Sequence, residues 1–160
     1  FYTSDAGRLR IGLPFLRDGL RAGETVVLRA IPDVREHYFA ALRDEGVDPA
    51  EALRAGLLML YPEIPGSATE QVARFEQLLT EASRKRPGPI RILAEVLADV
   101  HLLGSVADHM VLEKVDAIFK RFPVVTICAY DAREFDAVSV IEALKHHSDT
   151  FGPQIGYWLN

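Results

Sequence analysis

Short apolar runs alternate along the chain with stretches whose apolar residues recur every three or four positions. That is the pattern of parallel strands joined by crossover helices. Leu9, Leu13, Leu16 and Leu20 mark a first helix that Gly23 stops, and Pro14 fits such a helix only in its first turn. Thr25-Val26-Val27-Leu28 is then a buried strand. Pro32, followed by Asp33 and Glu36 at capping-box spacing, opens a second helix with Val34, Tyr38 and Leu42 on its inner face. Gly46 to Gly56 reads as a connector holding one helical turn, and Leu57-Leu58-Met59-Leu60 as the next strand. After the Pro62, Pro65 and Gly66 loop, Ser67 and Glu70 cap a third helix carried by Val72, Phe75, Leu79 and Ala82.

Pro87-Gly88-Pro89 breaks the chain before a strand that begins Ile90-Arg91-Ile92-Leu93. Residues 105–121 read as a helix with Val111, Val115, Ile118 and Phe122 on one face. Val124 to Tyr130 is the clearest strand, a helix covers 134–147, and Gln154 to Leu159 reads as an edge strand. These elements predict a three-layer α/β sandwich with a mainly parallel sheet, organised as a single domain over residues 1–160. The opening Phe1-Tyr2-Thr3 resembles the tail of a strand, and with no initiating Met the chain is expected to be a fragment of a longer signalling protein.

Composition narrows the function classes. A net charge of −5 with interspersed signs argues against direct nucleic-acid binding, and Arg84-Lys85-Arg86 reads as a solvated helix end. No apolar run approaches the roughly 20 residues that span a bilayer, so no membrane contact is expected. The single cysteine, Cys128, permits no internal disulfide, which fits a reducing, cytoplasmic compartment.

Catalytic motifs are missing. Gly7 and Gly12 have the glycine spacing of a phosphate loop, but Leu13 and Pro14 stand where the lysine and hydroxyl belong. There is no nucleophile elbow, dinucleotide turn, His-Glu-x-x-His or Cys-x-x-Cys, so the chain reads as a non-enzyme that needs no cofactor. In open α/β sheets ligands bind beyond the carboxyl ends of the strands. That rule directs attention to Glu95, His101, Tyr130 and Asp131, with Arg91 in the same strand as Glu95 and His146 at a helix end. A metal or haem site is the minor alternative: His109 and Glu113 share a helical face, and His101 and Cys128 are further candidate ligands. For Cys128 the default is a buried small hydrophobe.

Several blocks resemble one family. They are Phe15-Leu16 with Gly19-Leu20, Gly23-Glu24, Leu42 with Gly46-Val47-Asp48, and Gly56-Leu57-Leu58. The others are Arg91-Ile92-Leu93-Ala94-Glu95, Leu112-Glu113, Ile127-Cys128-Ala129-Tyr130-Asp131 and His146-His147. Together they resemble the MEDS family, the methanogen and methylotroph sensory domain of the dichloromethane-dehalogenase regulator. The resemblance implies a RecA-like core, similar to the circadian-clock ATPases but without their phosphate loop. It also implies a sensory role: a small-molecule ligand is bound, and a fused or associated output domain, such as a DNA-binding or histidine-kinase-like module, is controlled. A non-catalytic interaction or homodimerisation module is the rival reading, with Ile155, Tyr157 and Trp158 as its surface.

Overall fold

The computed structural model of the chain describes residues 1–113 and 121–146. Four strands, β1 (Thr25–Arg29), β2 (Leu58–Leu60), β3 (Ile90–Glu95) and β4 (Val124–Ala129), form one sheet in the order β2-β1-β3-β4. Every pairing is parallel, with Val26 beside Leu58, Val27 beside Ile92, and Leu93 beside Ile127. Beyond the end of β4, Tyr2 adds a single parallel bridge to Asp131.

Parallel neighbours need long crossovers, so helices cover both faces. The first face carries α1 (Asp5–Arg21), α2 (Pro32–Asp44) and α3 (Pro49–Arg54). The second carries α4 (Ala68–Lys85), α5 (Val96–Leu103) and α6 (Val106–Glu113), and α7 (Ala137–His146) follows β4. This is the three-layer α/β sandwich. Side-chain alternation along β1 and β3 divides the core. Val26, Leu28 and Leu93 pack with Leu16, Leu20, Tyr38 and Leu42 on one side. Val27, Ile90 and Ile92 pack with Phe75, Leu79 and Leu102 on the other. Among the described residues no helix is long and apolar enough to cross a membrane.

Local signals fix the helix ends. Ser67 accepts from the Glu70 amide while Glu70 accepts from the Ser67 amide, so the capping box that opens α4 is complete. The box expected at Asp33 and Glu36 does not form. The cap of α2 is Ile31, without a side-chain bond, because Pro32 occupies the first helical position with its φ already set; Asp33 falls within the first turn, where its charge complements the dipole. Pro14 lies in the middle of α1, not in its first turn. The carbonyl it leaves without a partner belongs to Arg10, an exposed residue where water can replace the lost bond. The helix expected over 105–121 is described as α6, over 106–113, and Val115 and Ile118 lie outside the described residues. It is preceded by a helix the periodicity did not reveal, α5, which ends at Gly104 in the left-handed region (φ 84). The edge strand expected over Gln154 to Leu159 also lies outside the described residues.

Gly7 and Gly12 belong to the body of α1, not to a loop. Gly12 serves packing. A Cβ there would stand 2.7 Å from Tyr38 Cε1 and 2.8 Å from its Cζ, so the missing side chain is what lets α2 close on α1. Gly12→Ala is therefore expected to destabilise the fold by about 1–3 kcal/mol through overpacking. Urea denaturation measures this; an unchanged midpoint would remove the contact from the account.

Candidate functional site

Two buried polar clusters lie at the carboxyl edge of the sheet, one on each face. The first centres on Glu95, the last residue of β3, which is 1% exposed. It follows Leu93 on the α1/α2 face, as the two-residue period of a strand requires. Tyr2 Oη donates to Glu95 Oε2 at 2.7 Å, and Tyr38 Oη donates to Oε1 at 2.5 Å. Arg8, buried in α1, lies over the Tyr2 ring and donates from Nη2 to His37 Nδ1 at 3.0 Å. Asp131 is gripped beside this cluster: Arg133 Nε donates to Oδ1 at 2.8 Å and Nη2 to Oδ2 at 2.6 Å, while Nη2 also reaches Asp5 Oδ1 at 2.9 Å.

The carboxyls are tuned in opposite directions. Burial pushes Glu95 above the usual range, against the two phenol hydrogen bonds and the Arg8 charge, which pull it down. Burial also pushes on Asp131, but there the hydrogen bonds and charge of Arg133 win, and the carboxyl is held low. Burial first, and then the Glu95 carboxylate, raise both Tyr2 and Tyr38, so the phenols act as neutral donors.

The second cluster starts at Arg29, the last residue of β1, which sequence reasoning did not single out. It is 2% exposed, lies on the α4 face like Val27, and is held by three groups. Its guanidinium carbon stands 4.3 Å from the Tyr61 ring centroid and 5.2 Å from that of Phe75. Its Nε makes an ion-pair contact with Asp99 Oδ1, without the alignment of a hydrogen bond. Asp99 Oδ2 lies 3.3 Å from His109 Nδ1, and His109 Nε2 is 3.1 Å from Tyr130 Oη. A carboxylate beside Nδ1 favours the proton on that nitrogen, which leaves Nε2 to accept from Tyr130. Taking a guanidinium out of water costs several kcal/mol. The carboxylate and the two ring faces offset that cost, and the aromatic faces contribute up to about 2 kcal/mol each when desolvated.

A cavity of about 190 Å³ opens beside Arg29, between the ends of β1 and β2 and the side of α5. Ala30, Ile31, Pro32, Tyr61, Ala98 and Leu102 give it apolar walls, and Glu63 and His101 stand at its rim. Glu63 is neutralised there by Arg35, at 2.6 Å. A second, more open depression of about 440 Å³ lies on the other side of His101, against Ser67 and Asp108.

The residues picked out by sequence are thus distributed over distinct places. His101 is exposed and lines both depressions. Glu95 and Asp131 meet in the first cluster, and Tyr130 belongs to the second. Arg91 shares the face of Glu95 but lies near the amino end of β3, where it pairs with Glu24 and covers the Phe15 ring. Of the metal candidates, His109 is buried on Asp99 and Tyr130, and Cys128 packs in a third small core with Val96 and Tyr130. Among the described residues no three His, Cys, Asp or Glu side chains converge as a metal site requires. The side chains of Glu113 and His146 lie outside the described residues. Arg29 was missed because a charge at a strand end reads as one leaving the sheet, and Asp99 because α5 was not read as a helix; the available signal was an arginine following Val26-Val27-Leu28.

The raised carboxyl of Glu95 carries a pH signature. The folded state keeps this proton where the unfolded chain releases it, so the contribution to stability is complete below the ordinary value of 4.5 and is lost as pH rises through the raised folded value. Urea titrations across that window are expected to show stability falling with pH, with the slope reduced in Glu95→Gln. Asp131 acts with the opposite sign and in a separate window, below its ordinary 3.8. Equal slopes in the two proteins would count against the assignment.

Residues 1–148 match the family described as MEDS, the methanogen/methylotroph, DcmR sensory domain. The chain is also similar to the transcriptional repressor DcmR of Methylorubrum extorquens strain DM4, with 28% identity over 152 residues, 94% of this chain. It spans 57% of the length of that relative. No solved structure matches it significantly. With residues 1–148 of its 160 covered by the match, the chain belongs to the MEDS sensory-domain family.

Proposed function

We propose that the chain is the input domain of a bacterial signalling or transcription regulator, and that it binds a small molecule and thereby controls an attached output domain. The observation that carries this reading is the cavity of about 190 Å³ beside Arg29, at the carboxyl edge of a parallel sheet. That edge is where open α/β sheets bind ligands. Apolar walls with few polar groups are the usual make-up of small-molecule sites. The size suits a small effector, since a dry space of roughly 150 Å³ holds a benzene-sized molecule. Membership of a sensory family and likeness to a protein named as a transcriptional repressor support the regulatory part. His101 would touch the ligand at the rim. Tyr130 would act through His109 and Asp99, and Glu95 and Asp131 from the cluster on the other face of the sheet, while Arg91, near the amino end of β3, and His146 are positions for mutagenesis to test. No catalytic step is assigned to any of them.

Ala98→Leu tests the reading, because Ala98 lines the cavity and its added atoms project into that space. A ligand at about a hundred times its Kd adds about 2.7 kcal/mol. That raises Tm by roughly 5–10 °C for a domain of this size. Thermal shifts against a library of small metabolites are expected to find compounds that stabilise the unaltered chain and not Ala98→Leu. If no compound separates the two proteins, the cavity is not a ligand site.

Assembly is the second reading, favoured by the exposure of Val125 on β4, the last strand of the sheet among the described residues, and of Val138 and Ile141 on α7. The partner would be a second copy of the chain. Sedimentation would show a dimer that persists without any metabolite and is weakened by Ile141→Glu; a monomer at every concentration would end this reading.

A further inference from the structure

The donors of Arg29 are only partly used. A guanidinium carries five N–H groups, accepts nothing and stays charged at any accessible pH. Here Nε faces Asp99, while Nη2 is buried with no hydrogen-bond partner among the described residues. Asp99 cannot supply both, because its oxygens are divided: Oδ1 turns to Arg29 and Oδ2 to His109. Tyr61, whose ring lies under the guanidinium, spends its one hydroxyl proton on Gln71, whose Oε1 at 2.9 Å and backbone oxygen at 3.0 Å are both in reach. Buried donors without acceptors are uncommon in folded proteins, and each one calls for an explanation. Arg29 is also one of the residues that line the cavity, with its unpaired Nη2 buried just behind the wall.

We propose that this cavity takes a small monocarboxylate. Its head group accepts from the Arg29 guanidinium, and its hydrocarbon part lies against Ile31, Pro32, Ala98 and Leu102. The inference rests on the cavity being a ligand site and adds the chemical class of the ligand. Two parallel oxygens match a guanidinium fork better than any single acceptor. A neutral amide would bring one acceptor together with two donors that meet mostly apolar wall. A dianionic phosphate would bring one more negative charge than a monocarboxylate to a guanidinium that Asp99 already shares. A halide or nitrate would leave the apolar walls unused. Glu63, the rim carboxylate, is already paired with Arg35, so it does not oppose an entering anion.

Calorimetric titration of the chain with butyrate and benzoate, each beside its neutral amide, tests the class. Carboxylates are expected to bind about tenfold or more tightly than their amides. Arg29→Met combined with Asp99→Asn removes both charges of the buried pair, so neither is left uncompensated. This double variant is expected to bind acid and amide alike, and circular dichroism checks its fold. Should it fail to fold, Ala98→Leu, which leaves the ion pair intact, is expected to lose the carboxylates by a similar factor. Equal affinity for acids and amides in the unaltered chain would overturn the carboxylate assignment and leave the ligand-site reading standing. Binding of neither set would also overturn it, and the library comparison with Ala98→Leu then decides separately whether the cavity binds anything.

Discussion

The arrangement depends on one carboxyl group with no access to water. Glu95 stands where β3 gives way to α5, and it collects a phenol from the segment before α1 and another from α2. It occupies the N-cap position of α5 yet makes no side-chain cap bond, because both oxygens are committed to tyrosines. A carboxyl in such a place is costly unless hydrogen-bonded, so the positions of Tyr2 and Tyr38 are not free to drift. Tyr38 in turn requires the bare backbone of Gly12. One polar group thereby sets the spacing of the first two helices against the sheet.

On the opposite face Arg29 has the corresponding place at the end of the neighbouring strand. Asp99 and His109 connect it to Tyr130, and the backbone oxygen of Tyr130 accepts from the Tyr2 amide at 3.0 Å. The two clusters therefore meet at Tyr2 and Tyr130. Arg29 and the start of α1 thus stand at the two ends of one row of neighbouring side chains that are nearly all buried.

Much of the fold was legible because it is encoded locally. The Ser67 and Glu70 box, the Gly23 stop and the runs of β1 to β4 act within a few residues, and each formed within a residue or two of where the pattern placed it. The failures have physical causes. At α2 a proline with its φ already fixed outweighed an acidic cap. At α5 a short apolar helix follows an apolar strand directly, so the change of period was hidden. Arg91 and Glu95 share a face, as the strand period requires, but the length of β3 separates them, and Arg91 found Glu24 instead. The site was legible as a region and not as a constellation. His101 and Tyr130 were visible as polar groups near strand ends, whereas Arg29 and Asp99 matter through a contact between distant elements that no spacing announces.

The amino end of α1 is tied down by the protein's own side chains. Helix starts attract anions through free amides and a positive dipole end. Here Ser4 already accepts from the Gly7 amide, Asp5 sits in the first turn, and Arg133 ties Asp5 to Asp131. Arg8 also pairs with Asp5, at 3.2 Å, so two carboxylates and two guanidiniums balance one another at this end of the helix. The helix start works as an internal clamp between Ser4 and Asp5 on one side and the end of β4 on the other.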